Sequence, residues 1–270
     1  MSARSFPRLS RRDALLALAG GTLGCRSGGR ASAQAAPSAG VRREPWGGLE
    51  IAHVTEMRES ERGGIALVLL HGYGAPGNDL VPLAKSLLQQ GTRCILPAAP
   101  LSLGDGGRAW WHIEASDRPR YVIDEPGPAL LSTLPNLELE MARSAVTGVL
   151  RTTRERYAPK ALFLAGFSQG AMLSIDLTLA GSEPLDRVAV LSGALLVDSA
   201  AHLPAQRGAR PAVFISHGRQ DRRLPFAGGE RMKLELEGHG FAVTWRPFDG
   251  GHAISKSTVS ELTKFLFENS

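Results

Sequence analysis

Apolar residues along the chain occur in short continuous runs, which are separated by longer segments with helical spacing. The runs hardly alternate with polar residues, and this is typical of strands that are buried on both faces of a sheet. Strands are predicted at 49–55, 65–70, 93–96, 161–165, 187–191, 212–216 and 242–248. Helices are predicted at 79–90, 137–157, 169–180, 229–237 and 255–268. This alternation predicts an α/β fold with a mostly parallel central sheet flanked by helices on both faces.

One long segment, 98–136, interrupts the alternation. It contains several Pro and Gly residues and the pair Trp110–Trp111. Segments of this length without regular structure are usually functional or disordered in a compact domain, so we interpret this one as a cap or loop insertion over a pocket. Trp110 and Trp111 are candidate substrate-binding residues, and ordinary packing in the core is the alternative.

The first 33 residues differ in composition from the rest of the chain. They contain six arginines and one aspartate, a net charge of +5, which equals the formal net charge of the whole chain. The basic balance therefore belongs to this segment and gives no argument for binding nucleic acid. The segment from Ser10 to Leu16 resembles a twin-arginine export motif, and the apolar run after it is too short to span a bilayer stably. Ala31-Ser32-Ala33 is a candidate cleavage site.

These features predict a twin-arginine-type signal peptide at 1–33, a linker at 34–48 and a folded domain at 49–270. The protein is then exported, periplasmic or secreted, and the export machinery is a partner. A basic terminus on a cytosolic protein is one alternative. Lipid attachment at Cys25 is another, although Thr22 stands where an aliphatic residue is usual.

The most specific motif is Gly166-Phe167-Ser168-Gln169-Gly170, between a predicted buried strand and a predicted helix. In such a turn the glycines remove side chains that would collide, and the serine is held in a strained backbone conformation with its hydroxyl raised above the sheet. The amino end of the helix also favours negative charge that forms beside the hydroxyl. Ser168 is therefore the candidate nucleophile.

A serine nucleophile requires a base, and the base requires an acid that fixes its tautomer. His252 is the candidate base, because it lies between the last predicted strand and the last predicted helix. Asp221 is the candidate acid, because it lies just beyond the strand at 212–216. Asp249 is its rival, but it is in the same short loop as His252, from which the far ring nitrogen is hard to reach. The order Ser168, Asp221, His252 is the one expected of the α/β-hydrolase fold.

The segment 66–80, ALVLLHGYGAPGNDL, allows two interpretations. Its Gly-x-Gly-x-x-Gly pattern matches a dinucleotide site, but such a site requires a carboxylate at the tip of the next strand, and 94–98 contains none. The segment also suits a loop that presents backbone N–H groups to an oxyanion. We favour this second interpretation, in which the N–H groups of Tyr73 and Gln169 form an oxyanion hole. A nicotinamide-dependent oxidoreductase is the alternative.

These motifs resemble those of the phospholipase/carboxylesterase family of α/β hydrolases, which includes acyl-protein thioesterases and bacterial short-chain esterases. The similarity extends from about Ile65 to the C-terminus, and it is carried by LHGYGAPGNDL, ILPAAP, RAWW, AGFSQGAM, ISHGRQDRRLPF and GGHAIS. Two features depart from the family pattern. Tyr73 stands where the family usually has an aliphatic residue, and the stretch 112–135 matches least well.

The resemblance implies that Ser168, Asp221 and His252 form the triad and that Tyr73 and Gln169 supply the oxyanion hole. It also implies hydrolysis of esters or thioesters without a cofactor. We therefore predict an exported serine hydrolase that cleaves short- to medium-chain acyl or aryl esters through an acyl-enzyme. The alternatives are lysophospholipase or thioesterase activity, and a non-catalytic envelope protein that binds esters.

The expected partner is a small-molecule ester, with no nucleic acid, and the sequence leaves monomer or homodimer open. It contains no His-Glu-x-x-His motif, no Cys-x-x-Cys pair and no Gly-x-x-x-x-Gly-Lys phosphate loop. No metal site is therefore predicted.

Overall fold

A computed structural model describes residues 40–113, 137–200, 202–203 and 210–268. All of these residues belong to one unit that spans 37–270. The predicted signal peptide at 1–33, with Cys25, and the part of the predicted insertion from 114 to 136 lie outside the described residues. Within the described ranges, no helix is both long and apolar enough to cross a membrane.

The described residues form a large sheet, a small hairpin and several helices. The strands are β1 (Val41–Trp46), β2 (Leu49–Thr55), β3 (Ile65–Leu70), β4 (Thr92–Pro97), β5 (Leu101–Ser102), β6 (Arg108–Ala109), β7 (Ala161–Phe167), β8 (Arg187–Leu191), β9 (Ala212–Ser216) and β10 (Val243–Trp245). The helices are α1 (Val81–Ser86), α2 (Leu137–Tyr157), α3 (Gln169–Leu179), α4 (Val197–Ala200), α5 (Phe226–Gly238) and α6 (Lys256–Phe267).

Eight strands form the central sheet, in the order β1-β2-β4-β3-β7-β8-β9-β10. Strand β2 is antiparallel to β1 and β4. In the spatial order above, all neighbouring strands from β4 to β10 are parallel. Parallel neighbours have their carboxyl ends at the same edge, so the loops after β3, β7 and β9 meet there. The predicted fold class, a mostly parallel sheet flanked by helices, is confirmed.

The sheet is covered on both faces because its central strands are apolar on both sides. In β3, Ala66, Val68 and Leu70 pack in the cluster that contains the buried face of α2. The alternate residues Leu67 and Leu69 pack in a second cluster, with residues of α1 and α6. Continuous apolar runs, rather than alternating ones, are what this burial requires.

The predicted linker at 34–48 is wrong over residues 41–46, which form β1. This strand pairs with β2 from Val41–Val54 to Trp46–Leu49, around a turn at Gly47-Gly48 in which both glycines have positive φ, 56° and 87°. An edge strand has one neighbour, and in β1 only Trp46 is buried, so its charged sequence reads as a linker. The adjacent glycines are a hairpin signal that the sequence interpretation missed.

The described part of the predicted insertion, residues 98–113, is ordered around the short β5–β6 hairpin. Leu101 pairs with Ala109 and Ser102 with Arg108. A further bridge joins Arg108 to Ala75 in the loop after β3. This part of the insertion therefore lies against the loop that follows β3, residues 71–77, which we call the opening loop.

Candidate active site

Strand β7 runs directly into α3, and Ser168 is the single residue between them. Its backbone has φ 56° and ψ −118°, a combination that L residues rarely adopt. A Cβ on Gly166 would lie 2.2 Å from the Gly170 carbonyl oxygen, and a Cβ on Gly170 would lie 2.2 Å from the Leu70 carbonyl oxygen. The turn thus requires glycine at both positions, and it is the strand–turn–helix context that the sequence motif predicts.

Three side chains from distant parts of the chain meet at this turn. Ser168 Oγ lies 2.8 Å from His252 Nε2, and His252 Nδ1 lies 2.7 Å from Asp221 Oδ2. Because an ionised carboxylate only accepts, Nδ1 carries the proton and donates it to Asp221. Nε2 is then the acceptor for the serine hydroxyl. The structure brings together the three residues that the sequence predicts as nucleophile, base and acid.

The Asp221 carboxylate is fully buried and well supplied with donors. Its Oδ1 accepts from the backbone N–H groups of Arg223, at 2.8 Å, and Leu224, at 3.0 Å. His217 Nε2 lies 2.9 Å from the Leu224 carbonyl oxygen and 3.4 Å from Asp221 Oδ2. Burial opposes ionisation, but the hydrogen bonds from His217 and His252 outweigh it, so the pKa of Asp221 is below its usual value. The acid is ionised at neutral pH.

The rival acid, Asp249, points away from this site. Its side chain is 87% exposed, and its Oδ1 lies 3.5 Å from Arg219 Nε. The backbone N–H of Arg219 donates to the Phe248 carbonyl oxygen at 2.9 Å. This bond joins the loop of Asp221 to the loop that leads to His252. The structure therefore favours Asp221 as the partner of His252.

The loop after β3, residues 71–77, lies against the serine turn. A Cβ on Gly72 would lie 3.2 Å from Ser168 Cβ, so the two segments touch. Tyr73 follows directly, and its side chain is 43% exposed. Gln169 is the first residue of α3, and the first N–H groups of a helix have no acceptor within the helix. Both predicted oxyanion donors belong to segments that contact Ser168, as the oxyanion interpretation of 66–80 requires.

His71 anchors this loop through both ring nitrogens. Nε2 accepts from the Ala99 N–H at 2.9 Å, so it carries no proton, and Nδ1 donates to the Gly72 carbonyl oxygen at 2.8 Å. Burial lowers the pKa of His71 to about 4, and the charge of Arg108 acts in the same direction. The ring is therefore neutral at physiological pH. This double anchor has no signal in the sequence pattern.

Trp110 and Trp111 do not form the predicted substrate-binding wall. Both side chains are fully buried in the core cluster that contains the inner face of α2. The Trp110 indole N–H donates to the His71 carbonyl oxygen at 2.9 Å. The packing alternative is the one that the structure supports. A tryptophan pair suits a core as well as a pocket, so the sequence alone does not distinguish the two.

Ser192 is a residue near the site that the sequence analysis missed. It follows β8, it is buried, and its φ is 49°. Its Oγ donates to the carbonyl oxygen of Ala253, at 3.2 Å, the residue after His252. The hydroxyl therefore holds the loop of the base, although a serine after a strand carries no distinctive signal.

The described residues show no cluster of three or more His, Cys, Asp or Glu side chains that could hold a metal ion. What they do present is a hydroxyl, an imidazole and an ionised carboxylate in one line of hydrogen bonds. Such a line can remove a proton from the hydroxyl as it attacks a carbonyl carbon.

The parallel sheet, the strained serine turn after β7 and the acid and base loops beside it define an α/β hydrolase. Residues 49–270 match the family described as Phospholipase/Carboxylesterase. The chain therefore belongs to this family, and it is a carboxylic ester hydrolase.

Individual relatives are consistent with this membership. The chain is 26% identical over 224 residues to acyl-protein thioesterase 1 of Cryptococcus neoformans, a match that covers 75% of this chain and 91% of the relative. Among solved structures, it is similar to esterase PE8, with 26% identity, a TM-score of 0.65, and coverage of 80% of this chain and 96% of that one. The carboxylesterase from Mesorhizobium loti has a TM-score of 0.66 and covers 84% of this chain and 98% of its own, and at 21% identity it supports the fold alone.

Proposed function

We propose that the protein is a serine esterase, which cleaves short- to medium-chain acyl or aryl esters through Ser168, His252 and Asp221. The observation that carries the proposal is the continuous hydrogen-bond line from Ser168 Oγ through His252 to Asp221 Oδ2, with distances of 2.8 Å and 2.7 Å. The buried, ionised Asp221 fixes the His252 tautomer in which Nε2 accepts the serine proton.

In the first half-reaction, Ser168 Oγ forms a bond to the ester carbonyl carbon while its proton passes to His252 Nε2. The carbonyl π electrons move to oxygen, and the N–H groups of Tyr73 and Gln169 stabilise this oxyanion. When the carbonyl re-forms, the bond to the alcohol oxygen breaks, and the imidazolium gives its proton to that oxygen. The products are a free alcohol and acyl-Ser168.

In the second half-reaction, water takes the place of the serine hydroxyl. His252 accepts a proton from water as the water oxygen attacks the acyl carbon. The bond to Ser168 Oγ then breaks, and the imidazolium returns the proton to Oγ. The carboxylic acid leaves, and Asp221 stays ionised throughout because it stabilises the imidazolium without accepting its proton.

The decisive test is hydrolysis of p-nitrophenyl acetate and butyrate by wild type and Ser168→Ala. We expect kcat to fall by about 10⁴-fold or more, since the residual rate comes only from binding and the oxyanion hole. Ser86→Ala, which removes an exposed hydroxyl on α1, is the matched control and should keep full activity. A fluorophosphonate probe should label wild type and not Ser168→Ala. Unchanged turnover by folded Ser168→Ala would reject the proposal.

Thioesterase or lysophospholipase activity is the second candidate, because one relative of similar length is named acyl-protein thioesterase 1. The same triad serves both reactions, since only the leaving group changes from an alcohol to a thiol. A series of p-nitrophenyl esters of increasing acyl length, run beside matched acyl thioesters, distinguishes the candidates. Higher kcat/KM for long-chain thioesters than for short esters would favour the second candidate.

We also propose that residues 1–33 direct export by the twin-arginine pathway, on the basis of Arg11-Arg12 and the candidate cleavage site at Ala31–Ala33. N-terminal sequencing of the protein recovered from the periplasm or medium should begin at Gln34. An intact Met1 terminus would contradict the proposal. Lipid labelling that is lost in Cys25→Ser would favour the anchored form instead.

A further inference from the structure

The side chain of Gln169 is buried, and both ends of its carboxamide are used. Oε1 accepts from the Trp110 backbone N–H at 3.0 Å, and Nε2 donates to the Trp111 carbonyl oxygen at 2.7 Å. The carboxamide thus bonds to the backbone of two consecutive residues. The residue that directly follows the nucleophile is in this way tied to the end of the β5–β6 hairpin.

The contacts continue from Trp110 to the opening loop. The Trp110 indole N–H donates to the His71 carbonyl oxygen, and the two rings lie 5.4 Å apart. Gly72, the next residue, lies beside Ser168, since a Cβ at this position would be 3.2 Å from Ser168 Cβ. Contacts therefore form a closed circuit that leaves the serine turn through Gln169 and returns to it through Gly72.

The opening loop needs such support because the regular sheet ends before it. Pairing of β3 with β7 stops at Leu70 and Gly166. Beyond that point, the Gly74 N–H donates to the Arg108 carbonyl oxygen at 2.8 Å, and the Arg108 N–H donates to the Ala75 carbonyl oxygen at 3.0 Å. The loop and the hairpin are thus bonded to each other, and the Gln169 side chain bonds the hairpin to the serine turn.

We propose that the Gln169 side chain is the positioning residue for the oxyanion hole, because it fixes the segment that carries the Tyr73 N–H relative to the Gln169 N–H. This inference rests on the proposed function, in which these two groups stabilise the tetrahedral intermediate. Preorganised donors act on the oxyanion, so their displacement weakens transition-state binding and leaves substrate binding nearly unchanged.

The test uses Gln169→Met, which fills a similar volume without either hydrogen bond, and Gln90→Met as the matched control at an exposed position. For Gln169→Met we expect kcat for p-nitrophenyl butyrate to fall by about tenfold or more, since a full oxyanion donor is worth roughly 10²–10³-fold. KM should change little. The inhibition constant of an alkylboronic acid, which forms a tetrahedral adduct on the serine, should rise by the same factor as kcat falls.

Trp110→Phe is the second variant, because it removes the indole N–H that bonds to His71 and keeps an aromatic ring in the core. We expect it to reduce kcat and boronate affinity in parallel, and to be non-additive with Gln169→Met because both act on one circuit. This variant tests the proposal even where Gln169→Met does not fold.

Folded variants that keep wild-type kcat and boronate affinity would overturn the inference. A loss of kcat with unchanged boronate affinity would overturn it as well, since the fault would then lie outside the oxyanion hole. Neither result touches the proposed function, which Ser168→Ala tests separately.

Discussion

Two fully buried carboxylates lie in two regions of this molecule, and different kinds of partner stabilise their charges. In the loop after β9, Asp221 accepts hydrogen bonds from two backbone N–H groups and from the ring of His252. In the contact between α2 and α3, Asp176 faces Arg143, with Nε 2.6 Å from Oδ2 and Nη2 2.7 Å from Oδ1. Ser199 also donates to Asp176 Oδ1.

The difference separates a carboxylate that stabilises the fold from one that takes part in the reaction. The guanidinium of Arg143 is a permanent cation, so the charge of Asp176 is compensated before any substrate arrives. Asp221 accepts from backbone N–H groups and from the His252 ring instead of from a guanidinium, so it can stabilise the imidazolium that His252 becomes during the reaction. Burial alone does not reveal which role a carboxylate has. We therefore expect loss of Asp221 to reduce rate and loss of Asp176 to reduce stability.

The largest effect should come from Asp221→Asn. The side chain keeps its size but presents an amide N–H to His252, which forces the wrong tautomer, and we expect kcat to fall about 10⁴-fold. The free energy of unfolding should change much less than for loss of Asp176. Esterase assays and urea unfolding measure the two quantities on the same preparations. A variant with near wild-type kcat would remove Asp221 from the mechanism.

The next effect should come from Asp176→Asn, which removes the buried partner of Arg143 and leaves it paired only with Glu140, an exposed residue on the same helix. We expect the free energy of unfolding to fall by about 2–3 kcal/mol, because charge-assisted hydrogen bonds are lost, while kcat of the folded enzyme stays within about threefold of wild type. The double variant Asp176→Leu with Arg143→Met should regain most of the stability, because no uncompensated charge is then buried. Urea unfolding of single and double variants checks this. Loss of kcat in the folded double variant would show that the ion pair serves the chemistry too.

A third expected effect is that acid destabilises the folded protein through His71, in the loop after β3. The pKa of this side chain is lowered from 6.5 to about 4. Between these values the unfolded chain binds a proton at His71 and the folded chain does not, so stability falls as the pH decreases through this window, by roughly 3 kcal/mol. Asp221, whose pKa is below its usual value, should stay ionised over the same window.

The free energy of unfolding, measured from pH 7 to pH 4, should thus depend less on pH in His71→Gln than in wild type. Equal pH dependence in both proteins would contradict the role assigned to His71.

The smallest effect should come from two serines that serve the two regions. Ser199→Ala removes a donor to Asp176 and should lower the free energy of unfolding by about 1 kcal/mol with kcat unchanged. Ser192→Ala removes the donor to Ala253, beside the base, and should lower kcat a few-fold because the loop of His252 is less well held. Parallel measurements of kcat and stability compare the two. Equal effects on kcat would mean that the regions are not independent.

How much the sequence could predict depends on how local the signal is. The turn at Ser168 was predictable because its motif is five consecutive residues, although only Gly166 is required by a contact within the motif and Gly170 is required by the carbonyl oxygen of Leu70. The bounds of β2, β3, β8 and β9 were predictable too, because strands buried on both faces are continuously apolar. Strand β1 was missed because an edge strand with charged side chains has no such run.

The supporting polar residues could not be predicted, because their partners are distant or are backbone atoms. Gln169 bonds to the backbone of Trp110 and Trp111, which leaves no complementary side chain to recognise. Arg143 and Asp176 are 33 positions apart. A single Asp in a helix resembles any solvated position until the neighbouring helix is placed against it. Residues that perform chemistry follow motifs, whereas those that support them depend on tertiary structure.

The left-handed backbone at Ser168 also has a consequence for durability. A residue other than glycine in such a conformation stores about 1–3 kcal/mol, which the surrounding fold must supply. Glycine would adopt the same geometry freely, but it has no hydroxyl. At this position, stability and activity therefore conflict, because a glycine would relieve the strain but would leave the enzyme without its nucleophile. Any gain in thermal stability has to come from other parts of the molecule.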